Sequence, residues 1–271
     1  MERREGAPII ASPPPRPALP AKPGSPAKLA ESPGMAGNGS VIVITGASTG
    51  IGAETARQAV AAGHRVVLAA RSEEKLEALA RELGGGERAR AVRCDVSEWE
   101  DNERLAAAAL EAFGRIDVVF ANAGFGAARG FLEESPEQWR SMLLTNVLGV
   151  AYTIRATLPH LLERGTGHYV ITSSVAGRRV LPGSMYSASK WAVTAIGEAL
   201  RQELRQMREN AGIRVTLIEP GMVDTPFFDQ RPGPDNALHD DDIARAVLYA
   251  VSQPEHVDVN EILIRPSSQA G

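Results

Sequence analysis

Residues 41–52 read VIVITGASTGIG: five β-branched residues run without interruption into a turn that holds Gly46, Gly50 and Gly52. An apolar run with no polar alternation predicts a strand buried on both faces, the kind found inside a parallel sheet. Glycine permits a tight turn and close backbone approach. The helix predicted over AETARQAVAAG behind it would turn its N-terminal N–H groups and partial positive charge toward a diphosphate. The spacing is GxxxGxG. Between a first strand and a first helix, such a turn points to a dinucleotide.

Downstream the same alternation repeats. RVVLAA predicts a strand and SEEKLEALARELG a helix, opened by a Ser and acidic residues. ARAVRC, IDVVFAN, HYVITS, IRVTLIEP and EILIRP predict further strands. Helices are predicted from the SEWEDNERLAAAALEAFG segment, over residues 136–163 and 186–210, and through DDIARAVLYAVSQ. Strands separated by helices pair in parallel through right-handed crossovers. The expected fold is therefore α/β, a doubly wound parallel sheet of about seven strands of Rossmann type in one domain, with ligands at the carboxyl ends of its strands.

Composition narrows the function. With 271 residues, 44% hydrophobic and 23% charged, the chain can build one large core. A formal net charge of -4 offers no electrostatic footprint for nucleic acid or an anionic membrane, so neither is expected as a partner. The single cysteine, Cys94, excludes an internal disulfide framework and ends an apolar segment, where a buried thiol is expected. His64, His160, His168, His239 and His256 lack paired ligand spacing, and no metal is expected. Nine of the 18 prolines fall in the first 34 residues, so residues 1–38 are expected to form a disordered arm ahead of a domain spanning 39–271. Met35 is a candidate natural start. No stretch has signal-peptide or membrane-span character, and the expected location is the cytoplasm.

Residues 186–190, YSASK, place a phenol and an ammonium one helical turn apart. At about 4 Å and an effective dielectric near 20, the ammonium of Lys190 would favour a Tyr186 phenolate by roughly 4 kcal/mol. That corresponds to about three pKa units, enough to move the phenol toward neutrality. At the end of the second strand, where an acid would receive the adenosine ribose, stands Arg71. A guanidinium there suits a 2'-phosphate, which favours NADP over NAD.

Together TGASTGIG, CDV at Asp95, ANAG from Ala121, Asn146 in LLTNVLG, ITSSVAG, YSASK and EPGMVDT resemble, in order, the motifs of the short-chain dehydrogenase/reductases. The resemblance covers Val41 to about Pro266. It implies a catalytic tetrad of Asn146, Ser174, Tyr186 and Lys190. In it Tyr186 is the general acid/base, Ser174 holds the substrate oxygen, Lys190 holds the nicotinamide ribose and lowers the Tyr186 pKa, and the Asn146 backbone seats a relay water. It also implies a cofactor site of Gly46, Ser48, Thr49, Gly50, Ile51, Gly52, Arg71, Asp95, Val96, Asn122, Gly124, Tyr186 and Lys190, with Pro220, Gly221, Val223 and Thr225 reaching the carboxamide. Two departures stand out. ANAG replaces the commoner NNAG, and the twelve steps from Ser174 to Tyr186 are one fewer than the family's usual spacing, which keeps Ser173 as an alternative.

The substrate is expected to be a small molecule carrying a hydroxyl or carbonyl. The segment DDIARAVLYAVSQPEHVDVNEILIRPSSQ resembles the NADP-dependent 3-hydroxy acid (serine) dehydrogenases. An acidic substrate needs an arginine, for which Arg178, Arg179 and Arg231 are the candidates. An apolar ketone, a keto-acyl substrate or a non-catalytic dinucleotide-binding role are the alternatives. Met222–Leu238 has the Pro and Gly content of a lid, with Phe227 and Phe228 as possible pocket walls. Val193, Ile196, Leu200, Leu204 and Met207 form an apolar helical stripe for core packing or for pairing into a homodimer or homotetramer.

Overall fold

Seven parallel strands form one sheet in the order β3-β2-β1-β4-β5-β6-β7. In chain order they are β1 (Val41–Thr45), β2 (Arg65–Ala70), β3 (Ala89–Arg93), β4 (Val118–Ala121), β5 (Thr166–Thr172), β6 (Gly212–Pro220) and β7 (Glu261–Ile264). The computed structural model describes residues 39–126, 128–207, 212–225 and 236–269. The predicted N-terminal arm and Phe227, Phe228 and Arg231 lie outside the described residues. The α/β doubly wound fold predicted from the alternation is the fold observed.

Strand β1 shows why an uninterrupted apolar run was required. Val41 and Val43 enter one core with Leu105, Ile154, Val193 and Leu200. Ile42 and Ile44 point to the opposite face, into a second core with Ala56, Leu76, Ile243 and Val247. These residues place α3 (Trp99–Phe113), α5 (Gly149–Arg164) and α6 (Met185–Gln206) on the first face, and α1 (Gly50–Ala61), α2 (Glu73–Glu82) and α7 (Asp240–Ser252) on the second. Strand order reverses between β2 and β4 on the two sides of β1, which opens a crevice at the carboxyl ends. No described helix is long and apolar enough to cross a membrane.

Two elements differ from the pattern-based expectation. The helix predicted over 136–163 is divided into α4 (Pro136–Leu143), a π turn at Leu144–Leu148, and α5. A π turn inserts a residue into the helical ladder, and periodicity cannot reveal it because the apolar positions continue across it. In α6, Val193, Leu200 and Leu204 are buried against the sheet, and Ile196 packs beside them. Core packing therefore accounts for most of that stripe. Cys94 is buried, as expected, and burial pushes its thiol up to about 12.

A buried polar cluster lies inside the sheet. Thr216 donates to Val259 O at 2.5 Å, so at the 2.8 Å contact between His168 Nε2 and Thr216 Oγ1 the ring is the donor. Nδ1 is then bare, buried and without a partner among the described residues. Burial, and then the Arg214 charge, hold His168 well below its ordinary pKa. The folded protein keeps it neutral, whereas the unfolded chain binds a proton below about pH 6.5. Its contribution to stability is complete above that pH and falls on acidification by up to about 1.36 kcal/mol per unit. Burial lowers His64 in the same direction. The check is therefore a difference between proteins: urea unfolding from pH 7 to 5 should show a steeper loss in wild type than in His168→Gln.

Candidate active site

A cleft of about 910 Å³ occupies the crevice at the carboxyl ends of the strands. Its floor is the turn after β1. Gly46 and Gly50 have φ of +67° and +54°, a region that favours glycine. A Cβ at Gly46 would come within 2.9 Å of Ala123 Cα, and one at Gly52 would collide with the Gly46 carbonyl oxygen. Thr49 precedes α1 without forming a side-chain cap, and Ser48, Thr49, Gly50 and Ile51 line the cleft. Gly52 lies behind them and lets the helix approach the turn. This arrangement is a cradle for an anion at a helix N terminus.

The strand ends are tied together by side chains. Thr45 Oγ1 accepts from Asn122 N at 3.0 Å and Ala123 N at 3.1 Å. Asn122 Nδ2 donates to Thr45 O, while its Oδ1 accepts from Thr172 Oγ1 at 3.0 Å. Lys190 Nζ donates to Thr172 O at 2.8 Å. One polar chain thus links β1, β4, β5 and α6. Thr45 and Thr172 escaped the sequence reading because a strand threonine shows no chemistry until its neighbours are known.

Along the rest of the cleft, Arg71 is exposed at the end of β2 and has no carboxylate partner among the described residues. Asp95 lines the cleft and accepts from Ser97 N and Oγ, and the buried Val96 follows it. Gly124, Pro220, Gly221, Val223 and Thr225 complete the wall. A Cβ on Gly124 would sit 3.0 Å from Asn146 Oδ1 and 3.7 Å from Lys190 Nζ, so its lack of a side chain lets these three groups converge.

Asn146 stands in the π turn, fully buried behind the cleft. Its amide clasps Phe125, accepting from N at 3.0 Å and donating to O at 2.9 Å, and it also donates to Ser189 Oγ. Ser189 in turn donates to Tyr186 O. The two adjacent serines face different ways. Ser173 Oγ lies 2.8 Å from Thr194 Oγ1 and donates to Lys190 O, so it is engaged by α6. Ser174 Oγ hydrogen-bonds with the Tyr186 hydroxyl and reaches Pro220 O at 3.4 Å.

Burial pushes Tyr186 up to about 12, against the opposing effect of the Ser174 hydrogen bond. Burial also lowers Lys190 to about 8. The expected lowering of the phenol by Lys190 is therefore reversed among the chain's own groups. The ammonium lies 5.7 Å from the ring centroid, is held by Thr172 O, and is itself disfavoured by desolvation. The simple Coulomb argument omitted that desolvation.

Of the arginines expected to meet an acidic substrate, Arg178 is already paired. Its Nε donates to Glu219 at 2.6 Å, and its other end pairs with Glu261. Arg179 is exposed and does not line the cleft. Arg129, in the loop after β4, does line it. It was missed because nothing in the sequence places that loop beside the one before α6; Gly130 N→Gly183 O, at 2.9 Å, does so in the structure.

A Gly-rich turn, a switch-point crevice and a Ser, Tyr and Lys lining the same cleft define a dinucleotide-binding oxidoreductase of Rossmann type. The chain belongs to the short chain dehydrogenase family, whose model matches residues 40–234. It is 40% identical to an uncharacterised oxidoreductase of Staphylococcus saprophyticus over 242 residues, covering 85% of this chain and 97% of that protein. An alcohol dehydrogenase from the archaeon Thermococcus sibiricus, complexed with 5-hydroxy-NADP, superposes with a TM-score of 0.79 at 36% identity, over 86% of this chain and 99% of that one. A serine dehydrogenase complexed with NADP+ gives 0.78 at 31% identity, over 85% and 96%. The protein is an NAD(P)-dependent oxidoreductase.

Proposed function

We propose that the protein interconverts a secondary alcohol, in particular a 3-hydroxy acid, and its carbonyl, with NADP as the preferred cofactor. The observation that carries this reading is the convergence of Ser174, Tyr186 and Lys190 in the same cleft as the glycine cradle. A nicotinamide bound there supplies or accepts the hydride. The chain's own groups handle the proton. Tyr186 Oη is held as a neutral phenol by burial, the form that protonates an alkoxide during carbonyl reduction. Ser174 Oγ, beside it, holds the substrate oxygen. Lys190 retains its charge below about pH 8, binds the nicotinamide ribose, and with the Asn146 backbone and a water returns the proton to solvent.

Gly46, Gly50 and Gly52, with Ser48, Thr49 and Ile51, receive the diphosphate. Asp95 and Val96 hold the adenine, Asn122 and Gly124 pack on the cofactor, and Pro220, Gly221, Val223 and Thr225 reach the carboxamide. The superposed serine dehydrogenase supports the acid substrate class. Residues 39–271 form the catalytic domain, preceded by a separate arm, and the protein acts in the cytoplasm. An apolar groove of about 590 Å³ on α4 and α6, lined by Trp139, Leu143, Leu148, Met185 and Ala192, supports a homodimer or homotetramer.

Arg71 carries the cofactor preference. Reduction of NADP+ and NAD+ is measured against serine, 3-hydroxypropionate, 3-hydroxyisobutyrate and apolar secondary alcohols. Wild type should turn over the acids with NADP+. Arg71→Ala should raise the KM for NADP+ by about tenfold to a hundredfold and leave NAD+ nearly unchanged, because a charge-assisted bond is worth about 1.5–3 kcal/mol. Turnover of the apolar alcohols alone would discard the acid class. Equal losses with both cofactors would discard the role of Arg71.

A further inference from the structure

The C-terminal stretch that ends in Gln269 marked a family branch in the sequence, but neither the mechanism nor the cofactor cradle uses it. In the structure it returns to the active site. After β7 the chain turns, with Gln269 N donating to Pro266 O at 3.0 Å, and the Gln269 side chain lines the cleft beside Gly221 and Met222. Its Oε1 accepts from Met222 N at 3.0 Å.

That bond falls at a critical place. The segment Gly221–Thr225 leaves the end of β6 and forms the cleft wall next to Ser174. It is fixed by main-chain bonds at both ends: Gly221 N→Ile264 O at 2.7 Å on one side, and Leu238 N→Met222 O and Asp224 N→Leu238 O on the other. Between them, the Gln269 side chain receives the main-chain N–H of Met222. Gly221 makes room for it: a Cβ there would collide with Gln269 Oε1. A glycine and a glutamine forty-eight residues apart are thus one steric unit.

We infer that Gln269 is a positioning residue of the dinucleotide site, holding the Met222 peptide so that the 221–225 wall is set for the nicotinamide half of the cofactor. The inference rests on the proposed assignment of that wall to the carboxamide. Losing one neutral hydrogen bond should cost about fivefold to tenfold in affinity. The loss should be confined to the nicotinamide end.

The test is the Kd of the full-length protein for NADP+ and for 2',5'-ADP, which fills only the adenine half, read by quenching of intrinsic fluorescence. Gln269→Ala should weaken NADP+ about fivefold to tenfold and leave 2',5'-ADP within twofold. Gln269→Glu keeps an acceptor for Met222 N and should restore most of the NADP+ affinity. Gly221→Ala should weaken NADP+ as well, and adding Gln269→Ala to it should cost little more, since both act on one contact. The inference is overturned if Gln269→Ala binds NADP+ within twofold of wild type, if both ligands weaken equally, or if the double variant shows additive losses. A folded wild type that binds 2',5'-ADP but not NADP+ would instead overturn the assignment of the nicotinamide site, and this inference with it.

Discussion

Tyr186→Phe should lower kcat by about three orders of magnitude while the Kd for NADP+ stays within about twofold of wild type. The substitution removes one oxygen and keeps the ring packed in α6, so the cradle at Gly46–Gly52 is untouched. What disappears is the hydroxyl proposed to give or take the substrate's proton, and positioned acid–base groups contribute about 10²–10⁴ in rate. Burial holds the phenol near 12, so the neutral donor that carbonyl reduction needs is present at neutral pH, and since a substitution leaves the equilibrium constant unchanged, kcat/KM should fall alike in both directions. Stopped-flow NADPH oxidation together with fluorescence binding makes the check. A variant within tenfold of wild type would remove Tyr186 from the chemistry, and parallel losses in kcat and cofactor affinity would indicate a packing role.

Arg178→Met should destabilise the protein by about 2–3 kcal/mol at pH 7.5, with a smaller deficit at pH 5. Glu219 is 1% exposed on β6, and the Arg178 guanidinium satisfies it from the turn after Ser174. Leaving a buried carboxylate without its partner costs about 3–5 kcal/mol where both groups are enclosed, and the one-third exposure of Arg178 reduces that figure. Burial already holds the Glu219 carboxyl above its ordinary value despite the arginine. Without the arginine it rises further. As the pH falls through that raised value, the folded state takes up a proton, the buried charge vanishes, and the deficit of the variant closes. Urea titrations at the two pH values give the difference directly. Unchanged stability would show the pair to be dispensable. A large rise in KM for 3-hydroxy acids without a stability change would return Arg178 to the substrate-binding role that its ion pairs argue against.

Contiguous patterns were legible in the sequence for physical reasons. A strand inside a parallel sheet must be apolar on both faces, so VIVIT announces itself. A turn with positive φ at Gly46 and Gly50 must be glycine-rich, and a phenol four residues before an amine on a helix must share its face. The order of these signals sufficed for the α/β fold and for the family, and it brought Tyr186, Lys190 and the glycine turn to one cleft.

Other features depend on pairs far apart in the chain. The directions of Ser173 and Ser174 follow from the strand end at β5 turning one hydroxyl toward Lys190 O and Thr194 and the other toward the Tyr186 hydroxyl and Pro220 O, which no residue count reveals. The π turn at Asn146 is invisible because the apolar spacing runs through it. The arginine at 178 looked available until Glu219 and Glu261 were found beside it, and the raised pKa of Tyr186 reflects desolvation, a property of everything packed around the ring. Gln269 and Met222 are joined only because β7 returns the tail to the end of β6. Local residue types and their spacing thus determined the fold and the chemistry on offer, whereas burial and long-range contact decided which charges are already paired, which protons are held, and which side chains face the cleft.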